Sequence, residues 1–368
     1  MYEKNIDYFR GFFASIIVLI HTYQILLLPL IYDPDSLLLK VVQSAGVDIV
    51  ACFFLISGYS IANNLHSNYL KNNKNINIKI FIKSRFNRIL PPFVYSIILL
   101  IIIVFIIQYF QLNGSELYRL AEDKYVPREK AIYDWEAILY NLLFLPSVVY
   151  NISTPSMNGP LWSINFEIYN YMLTACVFIL FFNKYYSLKF IISLLIIISF
   201  FIFQFTYNNY INYSFLYFLL YYFIGLITYF IKLKQLLSIK RIKQLFIVFL
   251  FLILALMVYD INYFRAYQGI ASFNTLTILS IFLILFYCIY LSEKKLYFSN
   301  LFFSVTKYSY TIYIIHFPLL LLSLSLFHKN IFKMNIFELT ILISCILFFI
   351  FKFSKYSSYI VERKNYRK

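Results

Sequence analysis

Residues 93–110 read FVYSIILLIIIVFIIQYF and contain no charged side chain. An apolar run of this length can cross a hydrocarbon core of about 30 Å as a helix. Comparable runs recur along the chain, for example at 12–31. Of the 368 residues, 62% are hydrophobic and 13% are charged, which is too little charge to cover a soluble fold. The sequence therefore predicts an all-α, multi-pass membrane protein.

The distribution of charge along the chain predicts ten crossings with both termini in the cytoplasm. This arrangement leaves most of the 32 Lys and Arg in cytoplasmic segments, as the positive-inside rule requires. The short apolar segment 137–150 is not counted, because an eleventh crossing would move the basic stretch 232–243 outside. The predicted spans are 11–31, 44–62, 93–110, 165–182, 188–205, 213–231, 245–259, 272–291, 308–327 and 336–353.

The net charge of +16 raises the question of a nucleic-acid partner. We favour the simpler reading, in which basic loops orient the chain among membrane lipids, and expect no nucleic acid. We also expect no metal, because the four cysteines lie inside apolar runs without the spacing of a zinc site. Residues 1–368 are predicted to form one membrane domain without an appended soluble domain.

Four ionisable side chains stand out within the predicted spans, namely His21, Asp48, Glu167 and His316. Buried ionisable groups in a membrane are costly and usually face a cavity or a partner. His21 and His316 fall near mid-depth, with Tyr313 one turn before His316 on the same face. Asp48 and Glu167 are predicted near the external ends of their helices.

These residue types suit two kinds of chemistry. A neutral imidazole can take a proton from a hydroxyl, and a carboxylate bonded to it would fix its tautomer. That combination favours acyl transfer. A proton relay in a transporter or flippase of lipid-linked sugars would need the same residue types, so residue type alone leaves both classes open.

A separate basic pair, Arg85 and Arg88, comes just before Pro91 and Pro92. Two guanidiniums at i and i+3 form a concentrated anion site at the predicted inner membrane edge. Basic side chains reaching toward the cytoplasmic surface are the ordinary alternative.

Six short motifs occur in order along nearly the whole chain, and together they resemble the acyltransferase 3 family of bacterial membrane acyltransferases. They are Asp7-Tyr8-Phe9-Arg10-Gly11 with His21 eleven residues after Arg10, Gly46-Val47-Asp48 with Phe53 to Tyr59, Arg85-x2-Arg88 with Pro91, Pro160-Leu161-Trp162-Ser163-x3-Glu167, Ser309-Tyr310-x2-Tyr313-x2-His316-x-Pro318, and Ile360-x-Glu362-Arg363.

The resemblance implies an O-acetyltransferase of the bacterial cytoplasmic (inner) membrane. Its donor would be acetyl-CoA or another acyl-CoA, held by Arg10, Arg85 and Arg88. His21 would be the catalytic residue, as base or acyl carrier. The acceptor would be a hydroxyl of a surface carbohydrate or its lipid-linked precursor.

Further roles for the site residues follow as hypotheses. We expect the acceptor to enter from the external half, near Asp48, Trp162, Ser163 and Glu167. Trp162 could stack on a sugar face or serve as an interfacial anchor. His316 or Tyr313 could polarise the thioester carbonyl.

The sequence departs from the family pattern in two places, just before Glu167 and just after Glu362-Arg363. Asn165 and Phe166 replace the commoner small or polar residues before Glu167, and Lys364 stands where Pro often follows Glu-Arg. None of these removes a reactive group, but they leave the acceptor subgroup open.

Overall fold

The computed structural model describes residues 4–31, 37–112, 129–146, 148–149, 152–182, 188–206, 213–234, 244, 247 and 300–362. These residues form helices joined by turns and contain no strand, which confirms the all-α class for the described part. The helices are α1 Lys4–Thr22, a π-helical turn Tyr23–Leu27, α2 Leu28–Ile31, α3 Leu37–Lys71, α4 Ile78–Tyr109, α5 Trp135–Leu142, a 3₁₀ helix Ser156–Leu161, α6 Trp162–Phe182, α7 Leu188–Thr206, α8 Tyr213–Leu233, α9 Asn300–Thr306, α10 Ser309–Ile331 and α11 Ile336–Val361.

Six segments of the described chain are long and apolar enough to cross a membrane. Shorter apolar segments within α7 and α8 cover two further predicted crossings. Apart from residue 247, the predicted spans 245–259 and 272–291 lie outside the described residues, so the count of ten and the sides of the termini stay predictions. The six are Ile6–Ile31, Gly46–Lys71, Ile78–Tyr109, Ser156–Leu180, Ser309–Ile331 and Ile336–Val361.

Helix α10 is the central element of the bundle. It packs against α1, α4, α11 and the 3₁₀ helix, and 72% of its most apolar window is buried. The corresponding share for α11 is 17%, so most of that helix faces outward. The central position of α10 decides where Tyr313 and His316 lie.

Helices α3 and α4 are longer than hydropathy predicts. Helix α4 begins at Ile78, where the Asn77 side chain accepts a hydrogen bond from the Ile80 amide, and it continues through Pro91 and Pro92. The connection between α3 and α4 therefore shrinks to 72–77, and most of the predicted loop 63–92 is helical. Basic residues lower hydropathy without preventing helix formation, which is why the sequence placed the helix start too late.

The segment before α6 folds back into the bundle. Helix α5 has eight residues, which is too short to cross a bilayer. The 3₁₀ helix then packs on α10, where Asn158 Nδ2 donates to the Ile314 carbonyl at 3.0 Å. Asn165 Nδ2 donates to the Pro146 carbonyl at 3.1 Å. Buried amide side chains thus give hydrogen bonds to the Ile314 carbonyl inside α10 and to the Pro146 carbonyl in the irregular segment.

Helices α3 and α8 approach each other closely at two glycines. A Cβ on Gly58 would overlap the carbonyl oxygen of Tyr222, and a Cβ on Gly225 would overlap that of Leu55. Both neighbouring atoms belong to helix backbone, which cannot move aside as a flexible side chain would. Small residues at a helix crossing allow this kind of backbone contact in membranes.

We expect Gly58→Ala to separate α3 from α8 and to lower the free energy of unfolding by about 1–3 kcal/mol, the usual cost of overpacking. Thermal unfolding of the purified protein in detergent measures the effect. Gly46→Ala on the same helix is the matched control, because its Cβ would meet Ile20 at an ordinary 3.7 Å. Equal melting temperatures for the two variants would contradict the packing.

Candidate functional site

Two histidines 295 residues apart meet inside the bundle. His21 Nδ1 lies 2.7 Å from His316 Nε2, and the two rings are nearly parallel, with 9° between their planes. His316 is fully buried, whereas His21 keeps part of its surface exposed. The edge-on ring of Phe317, 5.1 Å from that of His21, closes one side of the pair.

The proton positions in this pair follow from one backbone carbonyl. His316 Nδ1 lies 2.9 Å from the Ile312 oxygen, and a carbonyl oxygen only accepts, so Nδ1 carries the proton. Nε2 of neutral His316 is then an acceptor, and the Nδ1–H of His21 donates to it. Neutral His21 is left with a bare Nε2 nitrogen, which is the form that can act as a base or nucleophile.

Asp48 is buried on α3, at about the depth of His21. Helices α1 and α3 run antiparallel, because Gly46 faces Ile20 while Arg10 Nη2 donates to Ser60 Oγ. Helix α3 begins earlier than predicted, so Asp48 lies well inside it. The neighbour on Nδ1 of His21 is nevertheless His316, in the position that the sequence hypothesis gave to a carboxylate.

Tyr313 and Ser163 form a second buried pair, one turn from the histidines. Their hydroxyl oxygens are 2.7 Å apart, and Ser163 Oγ donates to the Pro160 carbonyl at 3.1 Å. Ser163 has a single proton, so the Tyr313 hydroxyl donates to Ser163. The Tyr313 ring lies 6.1 Å from that of His316, which links this pair to the histidines.

Trp162 belongs to an aromatic cluster. Its ring lies 5.4 Å from that of Phe166 and 5.0 Å from that of Phe218. Its packing role is therefore visible in the structure, whereas stacking on a sugar stays a hypothesis.

Three arginines, Arg10, Arg85 and Arg88, lie close together and line the same cavities. Arg10 Nη1 is paired with Asp7 at 2.7 Å, which orients its guanidinium. Arg85 lies 5.9 Å from the ring centres of Phe81 and Tyr171, so its plane is held between aromatic side chains. Arg88 is on the same helix, one turn later.

The arginines line two adjoining cavities. The first, called here the arginine cavity, extends from Arg10, Arg85 and Arg88 to Tyr313. The second, called the polar vestibule, is lined by the same arginines with Asn63 and Asn64. The three cations therefore lie where the two cavities join.

Glu167 lies in the arginine cavity together with Arg10, Arg85 and Arg88. It accepts hydrogen bonds from Ser57 Oγ, at 3.2 Å, and from the Tyr171 hydroxyl. No group of three potential metal ligands occurs among the described residues.

Sequence reasoning gave no role to four residues that the structure brings to the site. Ser57 and Ser60 lie in or next to the second motif, Tyr171 follows Glu167 by one helical turn, and Glu362 belongs to the last motif. The motifs alone pointed toward Ser57, Ser60 and Glu362, and no motif contains Tyr171, because the contacts of these residues join distant helices.

Glu362 caps helix α10 from the end of α11. Its side chain accepts from the Thr311 amide at 3.3 Å and from the Thr311 hydroxyl, while Tyr308 at the N-cap position makes no side-chain capping bond. Glu362 thereby fixes the start of the helix that carries Tyr313 and His316.

A family model described as an acyltransferase domain matches residues 3–354. The match covers nearly the whole chain and includes every site residue named above except Glu362. No curated protein and no solved structure matches the chain.

We expect Glu362→Ala to lower the free energy of unfolding by about 1 kcal/mol, as loss of a helix cap does. Glu362→Gln keeps an oxygen acceptor and should retain most of the stability. Thermal unfolding of both variants separates the cap from the charge. An alanine variant as stable as the glutamine variant would show that α10 does not depend on this cap.

Proposed function

The chain belongs to the acyltransferase 3 family, and from that premise we propose that it transfers an acyl group, acetyl in the first instance, from acyl-CoA to a hydroxyl. The acceptor is a cell-surface carbohydrate or its lipid-linked precursor, and the membrane is the bacterial cytoplasmic membrane. The observation that carries the proposal is the pairing of His21 Nδ1 with His316 Nε2 at 2.7 Å, in a bundle that also contains three clustered arginines.

The arginines suit the phosphate groups of the donor. Charge-assisted hydrogen bonds from guanidinium to phosphate are among the strongest in proteins. Arg10, Arg85 and Arg88 sit at the junction of the polar vestibule and the arginine cavity. The vestibule would take the nucleotide part of CoA, and the arginine cavity would take the arm that ends in the thioester.

The path from the arginines to the histidines follows α10. Tyr310, Tyr313 and His316 are spaced three residues apart, so each lies about 4.5 Å further along the helix. Tyr310 and Tyr313 line the arginine cavity. A thioester arm that follows these side chains approaches the histidine pair from the arginine side.

The reaction uses Nε2 of His21. As a base, it takes the acceptor hydroxyl proton while the hydroxyl oxygen attacks the thioester carbonyl. The carbon–sulfur bond breaks, and the CoA thiolate takes the proton back from the imidazolium. As an acyl carrier, Nε2 itself attacks the carbonyl, and the alcohol then displaces the imidazole. Both routes need the same tautomer and end in the same ester and free CoA.

His316 is assigned an orienting role. Both of its ring nitrogens are engaged, one with Ile312 and one with His21, so no N–H of His316 is free to polarise the thioester. While both rings are neutral, Nε2 of His316 accepts a hydrogen bond from the Nδ1–H of His21. When His21 becomes an imidazolium, the same contact stabilises it, as the third member of a catalytic triad does.

We expect His21→Ala to abolish acyl transfer in purified membranes supplied with labelled acetyl-CoA. We expect His316→Ala to lower kcat about 10²-fold or more, because the tautomer is no longer fixed. His316→Gln should restore part of the rate, since its amide oxygen can accept from His21. His328→Ala, outside the site, is the control. Transfer by His21→Ala at the wild-type level would overturn the mechanism, and consumption of no acetyl-CoA by the wild type would favour a transporter.

Arg88→Ala should raise the KM for acetyl-CoA by about 10- to 100-fold, the usual range for losing a hydrogen bond to a charged group. Arg88→Lys should recover only part of the affinity, because lysine cannot bind phosphate in a bidentate fashion. Lys83→Ala, on an exposed face of the same helix, is the matched control. An unchanged KM in Arg88→Ala would remove the arginines from the donor site.

A further inference from the structure

A groove of about 830 Å³ lies between α11 and the turn that joins α9 to α10. It is distinct from the arginine cavity and shares no lining residue with it. Lys307 lies on the turn, and Lys352 and Lys355 lie on α11. No acidic residue is among the described side chains that line the groove.

One stripe of α11 forms the groove wall. Phe348, Phe351, Lys352, Lys355 and Tyr359 follow helical spacing and therefore share a face. From Phe348 to Tyr359 the stripe covers about 16 Å along the helix axis. The stripe begins with phenylalanines toward the middle of the span. Two lysines follow, and Tyr359 comes last, at the helix end.

This order matches the order of groups in a bilayer phospholipid, from acyl chain to headgroup. Lysine and tyrosine are typical of the headgroup level, and apolar side chains are typical of the acyl-chain level. Phe348 is 66% exposed and Tyr359 43%, on a helix whose outer face is largely unburied. The Lys352 ammonium lies 5.3 Å from the Phe348 ring centre, at the boundary of the two levels. A cation near hydrocarbon is costly without an anion beside it.

We propose that this groove binds an anionic phospholipid, with its phosphate on Lys352, Lys355 and Lys307 and an acyl chain along Phe348 and Phe351. The groove lies at the same end of the bundle as Arg10, because the Thr306 hydroxyl on α9 donates to the Asp7 carbonyl on α1. Basic pockets of this kind bind anionic headgroups on the side of the membrane where such lipids are enriched. The site needs neither donor nor acceptor, so its test is independent of the proposed activity.

The test is native mass spectrometry of the full chain, purified in detergent and titrated with phosphatidylglycerol or with phosphatidylcholine of the same acyl chains. We expect the wild type to bind phosphatidylglycerol more tightly than phosphatidylcholine. The double variant Lys352→Gln, Lys355→Gln should bind phosphatidylglycerol about thirtyfold more weakly, given roughly 1 kcal/mol for each basic residue near a membrane surface and about 1.4 kcal/mol for each tenfold change in affinity.

The matched control is Lys71→Gln, Lys74→Gln, which removes two exposed lysines next to the α3–α4 connection and should leave binding unchanged. The double variant Lys352→Arg, Lys355→Arg should also retain binding, which would show that changing these positions does not by itself unfold the protein. The single variant Lys355→Gln is a second check on folding. Equal loss in the Lys71, Lys74 control would indicate diffuse surface charge and overturn the site. Displacement by glycerol 3-phosphate at equal concentration would indicate a free-phosphate site and overturn the lipid assignment, as would a Lys352, Lys355 glutamine variant that binds like the wild type.

Discussion

The hydrogen bond from His316 to the Ile312 carbonyl determines where the protons of both intramembrane histidines lie. A backbone carbonyl can only accept a hydrogen bond, so the ring nitrogen that faces it must carry the proton. His316 transmits that constraint to His21 through its second nitrogen. The outcome is an unprotonated Nε2 on His21, obtained with His316 rather than a carboxylate on its Nδ1. Two neutral rings also avoid the cost of a charge in hydrocarbon surroundings.

Buried asparagines hold the segment before α6 against the rest of the bundle. The 3₁₀ helix contacts α10 through Asn158, whose side-chain amide donates to the Ile314 carbonyl. Glu167, which follows on α6, lines the same cavity as Arg85. One cavity holds the cations, Glu167 and Tyr313.

Hydropathy predicted the helical class and most crossings, because the composition of each span is local information. It failed at α3 and α4, where polar turns continue the helix beyond the apolar core. The motifs, and the family resemblance they carry, brought His21, His316 and the arginines into consideration, and the family match confirms that resemblance. Pairings such as Gly58 with Tyr222, or Glu362 with Thr311, join helices far apart in the chain, so no local pattern predicts them.

Nitrogen-15 NMR of the histidine-labelled protein in a bilayer tests the central claim most directly, since the chain has four histidines. Chemical shifts of imidazole nitrogens report which nitrogen carries the proton, and the His21→Ala and His316→Ala variants assign the two signals. At neutral pH, we expect both rings to be neutral and protonated on Nδ1, with no proton on Nε2 of His21. A proton on Nε2 of His21, or a charged ring in the resting protein, would contradict it.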